Sequence, residues 1–169
     1  MACRLVYYGN ETLKKIAEKV KNIDQEIIDL IDSMYNIMYQ ENGVGLAAPQ
    51  VDISKRILTV DIEHLEGPSI TLINPEIIAK SDIQAPYDEG CLSLPGLSAE
   101  IIRPVEITVK GVTSDGKEVQ FDADGLFSRV LQHEIDHLNG ILFIDHMDEF
   151  LRKEYTSEIK KIKKLNNKE

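Results

Sequence analysis

The 169-residue chain carries 19 Lys+Arg against 29 Asp+Glu, a net charge of −10, with 43% hydrophobic and 28% charged residues. That length suits one compact core, and the composition excludes a wholly disordered chain, a disulfide scaffold (the cysteines are Cys3 and Cys91 alone) and a general nucleic-acid binder, which needs a basic surface. No run approaches the ~18 apolar residues of a membrane span, and Met1-Ala2-Cys3-Arg4 does not open a secretion signal, so a cytoplasmic protein with neither membrane nor DNA as partner is expected.

In chain order, Thr12 to Val20 reads as a short helix, and Asp24 to Gln40 as a longer one with Ile27, Ile31, Met34 and Met38 on one face. Asp24 suits the N-cap, and Gly43 and Gly45 end the pattern. Arg56–Ile62, Ile70–Asn74, Glu76–Lys80, Val105–Val112 and Lys117–Ala123 are rich in β-branched residues and read as strands, with Ser114-Asp115-Gly116 as a hairpin turn. Asp124-Gly125 opens a helix over about Leu126–Leu138, which Asn139-Gly140 stops, and a last helix runs from about Asp148 to Leu165. Strands that do not alternate regularly with helices predict an α+β fold with antiparallel or mixed sheet. No repeat or linker divides the chain, so 1–169 is expected to be one domain. Its end, 148–169, forms a basic helix or tail: residues 152–169 hold seven bases against three acids, +4 on a body of −14.

The strongest chemical signal is His133-Glu134-Ile135-Asp136-His137. Two histidines four apart on a helix point the same way and can hold one divalent ion through neutral ring nitrogens. Glu134 beside them can take a proton without filling a coordination position. The histidines share a face with Leu126 and Val130, the buried side of the helix. Two ligands do not close a site. Phe143 stands where a metzincin would place a third histidine, so that route fails. A later glutamate, Glu154 or Glu158, is one remaining donor; Cys91, in Glu89-Gly90-Cys91-Leu92-Ser93, is the other. A third segment, Gly43-Val44-Gly45-Leu46-Ala47-Ala48-Pro49-Gln50, is rich in small residues that let another backbone approach, and Gln50 offers an amide N–H to a developing oxyanion.

Together GVGLAAPQ, EGCLS and QHEIDH resemble the three signature motifs of the peptide deformylases, in that order, each without a gap, and the resemblance extends from about Ala2 to Met147. It implies antiparallel or mixed sheets around a central HExxH-bearing helix, with N-terminal helices and a C-terminal helix. The implied activity is removal of the N-terminal formyl group from formyl-methionine of newly made polypeptides, releasing formate. The implied ligands are Cys91, His133 and His137, holding Fe²⁺ first, with Zn²⁺, Ni²⁺ or Co²⁺ also accepted. Glu134 then serves as general base and acid for a metal-bound water, and Gln50 and the Leu92 N–H as oxyanion donors. Gly45 and Gly90 match backbone contacts to the substrate, and Val44, Tyr87, Leu126, Arg129 and Val130 match the wall of the methionine pocket. Glu89 and Arg103 match a structural pair holding the Cys91 loop.

Two departures alter what is expected. Leu97-Ser98-Ala99 stand where many relatives place a bulky Arg or Tyr, and Arg129 replaces an aliphatic residue, which would make the pocket rim more polar. A thiolate ligand beside oxidisable iron predicts that activity is lost in air if iron is the metal. The basic tail suits docking on the ribosome, where formylated nascent chains emerge. The rivals are a zincin endopeptidase using Glu154 or Glu158, and a non-catalytic metal-binding module that recognises nascent chains.

Overall fold

The computed structural model describes residues 3–167; Met1, Ala2, Lys168 and Glu169, which include one end of the motif-bearing stretch and the last base and acid of the tail, lie outside the described residues. The main sheet has five antiparallel strands, β1 (Gly45–Ala47), β2 (Ile57–Asp61), β3 (Ser69–Lys80), β6 (Ile107–Val112) and β7 (Glu118–Ala123), in the order β1-β2-β3-β6-β7. Alternation along the strands gives each face its own helix. Leu58, Val60, Leu72 and Val109 pack on Leu131, Ile135 and Leu138 of α2 (Gly125–Leu138). Ile57 and Ile73 turn the other way, onto Ile31, Met34 and Met38 of α1 (Gln25–Gln40). The fold is therefore α+β, as expected.

Asp24 caps α1 by accepting the Ile27 N–H at 3.1 Å. Its other end closes with Asn42, in the left-handed region at φ 55°: the Asn42 N–H reaches Tyr39 O and the Gly43 N–H reaches Met38 O at 2.8 Å, satisfying carbonyls the helix would leave bare. α2 ends in the same way on Gly140 (φ 72°), where an added Cβ would also strike Lys14 O at 2.5 Å.

The second sheet is a separate hairpin, β4 (Gln84–Cys91) and β5 (Leu94–Pro104), in a stretch where the sequence predicts no strand. Leu94, Leu97, Ala99 and Ile101 of β5 form a third core with Leu142, Phe143 and Ile144 and with Ile159 and Ile162 near the C-terminus.

Three expected elements differ. Thr12–Val20 is not an α-helix: a 3-10 turn over Glu11–Lys14 gives way to extended chain, because Ala17 N–H bonds Leu138 O at 2.9 Å and Glu18 pairs with Ser54 and Arg56. The two strands expected at Ile70–Asn74 and Glu76–Lys80 are one strand, β3, with a bulge at Asn74-Pro75, where proline needs no ladder partner. The last helix is broken at Tyr155 into α3 (Glu149–Glu154) and α4 (Thr156–Lys163), and the Thr156 hydroxyl donates to Arg152 O at 3.3 Å across the break. Among the described residues no helix is long and apolar enough to cross a membrane.

Candidate active site

The four-residue spacing on α2 sets His133 and His137 edge to face with ring centroids 5.0 Å apart, and both are buried. β4 delivers the third group. Its register shifts at Gly90/Cys91, so that Cys91 ends the strand opposite Leu94 and the chain turns tightly through Leu92 and Ser93. One ligand atom each from Cys91, His133 and His137 lies within 4.8 Å of the others, and Cys91 Sγ is 3.3 Å from His137 Nε2. Glu154 and Glu158 are exposed on α3 and α4, away from this group, so the alternative glutamate donor is overturned. Phe143, where a metzincin would place a histidine, stacks on His133 with ring centroids 6.1 Å apart and belongs to the third core.

These residues fit a divalent ion. A thiolate with two imidazoles is a donor set for zinc or iron-type metals. Burial and the neighbouring His133 hold His137 well below the usual histidine range, which keeps it neutral as a ligand must be. Burial also disfavours charge on His133, but Cys91 and Glu89 outweigh it and make a positive charge favourable at that point. Glu134 Oε2 and His137 Nδ1 are buried with no hydrogen-bond partner, a costly state in a closed apolar core. Burial pushes the Glu134 carboxyl up to about 7, within reach of proton exchange near neutrality.

Glu89 organises the surroundings. Its carboxylate accepts His133 Nδ1–H at 3.0 Å, both Arg103 Nε (2.7 Å) and Nη2 (3.0 Å), and Arg129 Nη1 at 3.1 Å. Burial alone would raise its pKa, yet His133 and Arg103 hold it at about 2. Arg103 reaches on to Asp136 at 2.8 Å, and Asp136 pairs with His146 at 2.7 Å. Arg129 does not form the expected polar rim: the residue is only 8% exposed and its two terminal nitrogens are bonded to Glu89, Ile101 O and Ala85 O.

Gln50 is 1% exposed, and its orientation is dictated locally. The Ala47 N–H donates to its Oε1 at 2.9 Å, which aims Nε2 at Cys91 Sγ (3.5 Å) and Ser93 Oγ (3.3 Å). Gly45 faces Glu134: a Cβ there would lie 2.6 Å from Glu134 Oε1 and 2.8 Å from Val130 Cγ1. A cleft of about 620 Å³ opens over this group. Val44, Gly45, Gln50, Tyr87, Gly90, Cys91, Leu92, Leu126, Arg129, Val130, His133 and Glu134 all line it, while His137 lies behind at 0% exposure. A second depression of about 500 Å³, between Lys80, Glu106 and Asp122, offers neither histidine nor cysteine.

The family model described as polypeptide deformylase matches residues 2–153. The chain belongs to the peptide deformylase family. The peptide deformylase of Brachyspira hyodysenteriae is 42% identical over 182 aligned residues, covering 100% of this chain and 97% of that protein. That of Hydrogenovibrio crunogenus is 44% identical over 160, covering 95% and 92%. The crystal structure of a peptide deformylase from Legionella pneumophila matches with a TM-score of 0.90 at 36% identity, covering 100% and 99% of the two chains.

Within this member of the deformylase family, three contributors escaped the sequence analysis. Ser93 is fully buried against the Gln50 amide; its place two residues after Cys91 was the available signal. Asp136, the fourth residue of HEIDH, lies one turn from Gln132 and accepts from Arg103 at 2.8 Å; its place beside His137 is the signal that could have found it. Leu65 reaches the cleft from the turn after β2, and no local pattern announces it.

Proposed function

We propose that the chain hydrolyses the formamide at the N-terminus of formyl-methionyl nascent polypeptides, releasing formate, and that it does so in the cytoplasm as one catalytic domain spanning 1–169. The observation that carries this reading is the convergence of the Cys91 thiol and two imidazoles beside a buried carboxylate with a free oxygen, at the floor of an apolar cleft. Cys91, His133 and His137 would hold the ion, Fe²⁺ first and Zn²⁺, Ni²⁺ or Co²⁺ as substitutes. When bound, such an ion lowers the pKa of a coordinated water and draws charge from a carbonyl oxygen.

The chain's own groups do the rest. Glu134 takes the proton as water adds to the formyl carbon, then returns it to the leaving amine. Its burial and raised pKa, about 7, favour both directions of that exchange. Gln50 Nε2 and the Leu92 N–H donate to the formyl oxygen as charge develops; one such donor is worth ~2.7–4 kcal/mol. Val44, Leu126, Val130 and the Tyr87 ring enclose the methionine side chain, with Arg129 behind Tyr87 at 5.5 Å. Backbone at Gly45 and Gly90 lies against the substrate chain, and that close approach favours glycine at both. For the tail, Ile159 and Ile162 pack inward while Lys160, Lys161, Lys163 and Lys164 are exposed, a basic face suited to ribosomal RNA.

The test is formate release from formyl-Met-Ala by anaerobically purified protein. Turnover of the formyl peptide with acetyl-Met-Ala untouched supports the reading. Cleavage of internal peptide bonds would favour the endopeptidase, and peptide binding without formate the non-catalytic module; either overturns it.

A further inference from the structure

Arg129 is a buried arginine whose bonds the proposed chemistry does not use. A buried guanidinium is costly unless its donors are satisfied, and its donors go to one place, the β4–β5 hairpin. Nη2 donates to Ala85 O of β4 at 2.7 Å, and Nη1 donates to Ile101 O of β5 at 2.9 Å and to Glu89 Oε2 at 3.1 Å. Tyr87 covers the guanidinium with its ring. The hairpin shares no ladder with the main sheet, so side chains from α2 fix its position relative to that helix. Asp136, through Arg103, and Gln132, through Pro104 O at 2.9 Å, hold the end of β5; Arg129 ties in β4 at Ala85, level with Arg103, and reaches Ile101 of β5 and Glu89 of β4 nearer the tip where Cys91 sits. His133, four residues on from Arg129 along the same helix, meets Glu89 from the other side.

We propose that Arg129 is a positioning residue for the metal group: one fork ties the strand pair that presents Cys91 to the helix that presents both histidines, and so fixes the sulfur-to-nitrogen spacing. This rests on the Cys91–His133–His137 reading above. It assigns Arg129 a role in retaining metal in addition to its place in the cleft wall. Partners beyond the ligands themselves commonly change metal affinity by ~10–100-fold, and an anchor acting through Glu89 belongs at the lower end.

The experiment loads the full chain anaerobically with Co²⁺ and follows its release to a chelator through the thiolate-to-metal absorption band. Parent, R129M and R129K are compared with V109A, which loosens the core between the main sheet and α2 without touching the hairpin. Release about tenfold faster in R129M, with R129K intermediate and V109A close to the parent, supports the proposal. R129K keeps the charge but lacks the fork, so it remains decisive if R129M does not fold. Parent-like release in R129K and R129M with only a raised KM for formyl-Met-Ala would make Arg129 a pocket wall and overturn the proposal, as would equal acceleration in V109A. A parent chain that takes up no Co²⁺ overturns the metal reading itself and the inference with it.

Discussion

Gly45→Ala perturbs Glu134, the proposed base, without touching Cys91, His133 or His137. The new methyl would sit 2.6 Å from Glu134 Oε1 and 2.8 Å from Val130 Cγ1, so it falls about 0.8 Å and 0.6 Å short of the 3.4 Å at which ordinary contact begins. Glu134 is 4% exposed and flanked on α2 by His133, so the carboxylate must swing while the helix stays. Overpacking of this kind costs ~1–3 kcal/mol. Displacing a catalytic group by approaching 1 Å costs ~10²-fold in rate. The expected outcome is a chain that folds, melts slightly lower, keeps its metal and releases formate about a hundredfold more slowly. Formate assay, elemental analysis and thermal melting on one preparation separate these effects. Activity within about twofold of the parent would refute the packing argument, and so would inactivity explained by lost metal.

Glu134→Gln should lower formate release by ~10²–10⁴-fold with metal content unchanged; stability should not fall, since Oε2 has no partner to lose, and a marked drop in melting temperature would contradict this. Asp145 offers a pH test: burial pushes its carboxyl up, but the Leu142 N–H (2.9 Å), Lys14 (3.1 Å) and Arg152 (3.0 Å) outweigh that and hold it below 3.8. A depressed folded-state pKa stabilises above the unfolded value and fades as pH falls through the folded one. The urea midpoint of Asp145→Asn should therefore lie below the parent's at about pH 6 and converge with it in acid; a constant difference would contradict the ion-pair account. Charge reversal at Lys160, Lys161 and Lys164 should weaken ribosome co-sedimentation and its salt dependence. It tests the tail better than truncation, which would strip Ile159 and Ile162 from the hairpin core and remove the Asn166 amide bonded to Tyr7 and Tyr8. Unchanged co-sedimentation rejects ribosome docking.

The elements legible in the sequence were those whose periodicity and caps agree with their burial. The Ile27–Met38 stripe is the buried face of α1, and Asn139-Gly140 stops α2 because glycine alone accepts both the left-handed turn and the approach of Lys14. Thr12–Val20 has helical spacing in Leu13, Ile16 and Ala17, but Ile16 is 74% exposed: hydrogen bonds from Ala17 and Glu18 to distant backbone outweigh local propensity. The β4–β5 hairpin was hidden because an arginine occupies a buried position of its alternating pattern (Leu97, Ala99, Ile101, Arg103) and an isoleucine, Ile102, an exposed one. Of the site, the histidine pair was readable from spacing alone. Cys91 and Gln50 stood out only once three separated motifs were taken together, since their convergence depends on that unread hairpin and on a single Ala47 N–H.

Metal stoichiometry tests the central claim most directly, with parent, Cys91→Ala and a Glu154→Ala/Glu158→Ala double variant purified anaerobically side by side. The thiol–bis-imidazole geometry predicts a single tightly held ion in the parent and in the double glutamate variant, and loss of that ion with Cys91→Ala. Retention of the ion without Cys91, and its loss without the two glutamates, would contradict the account.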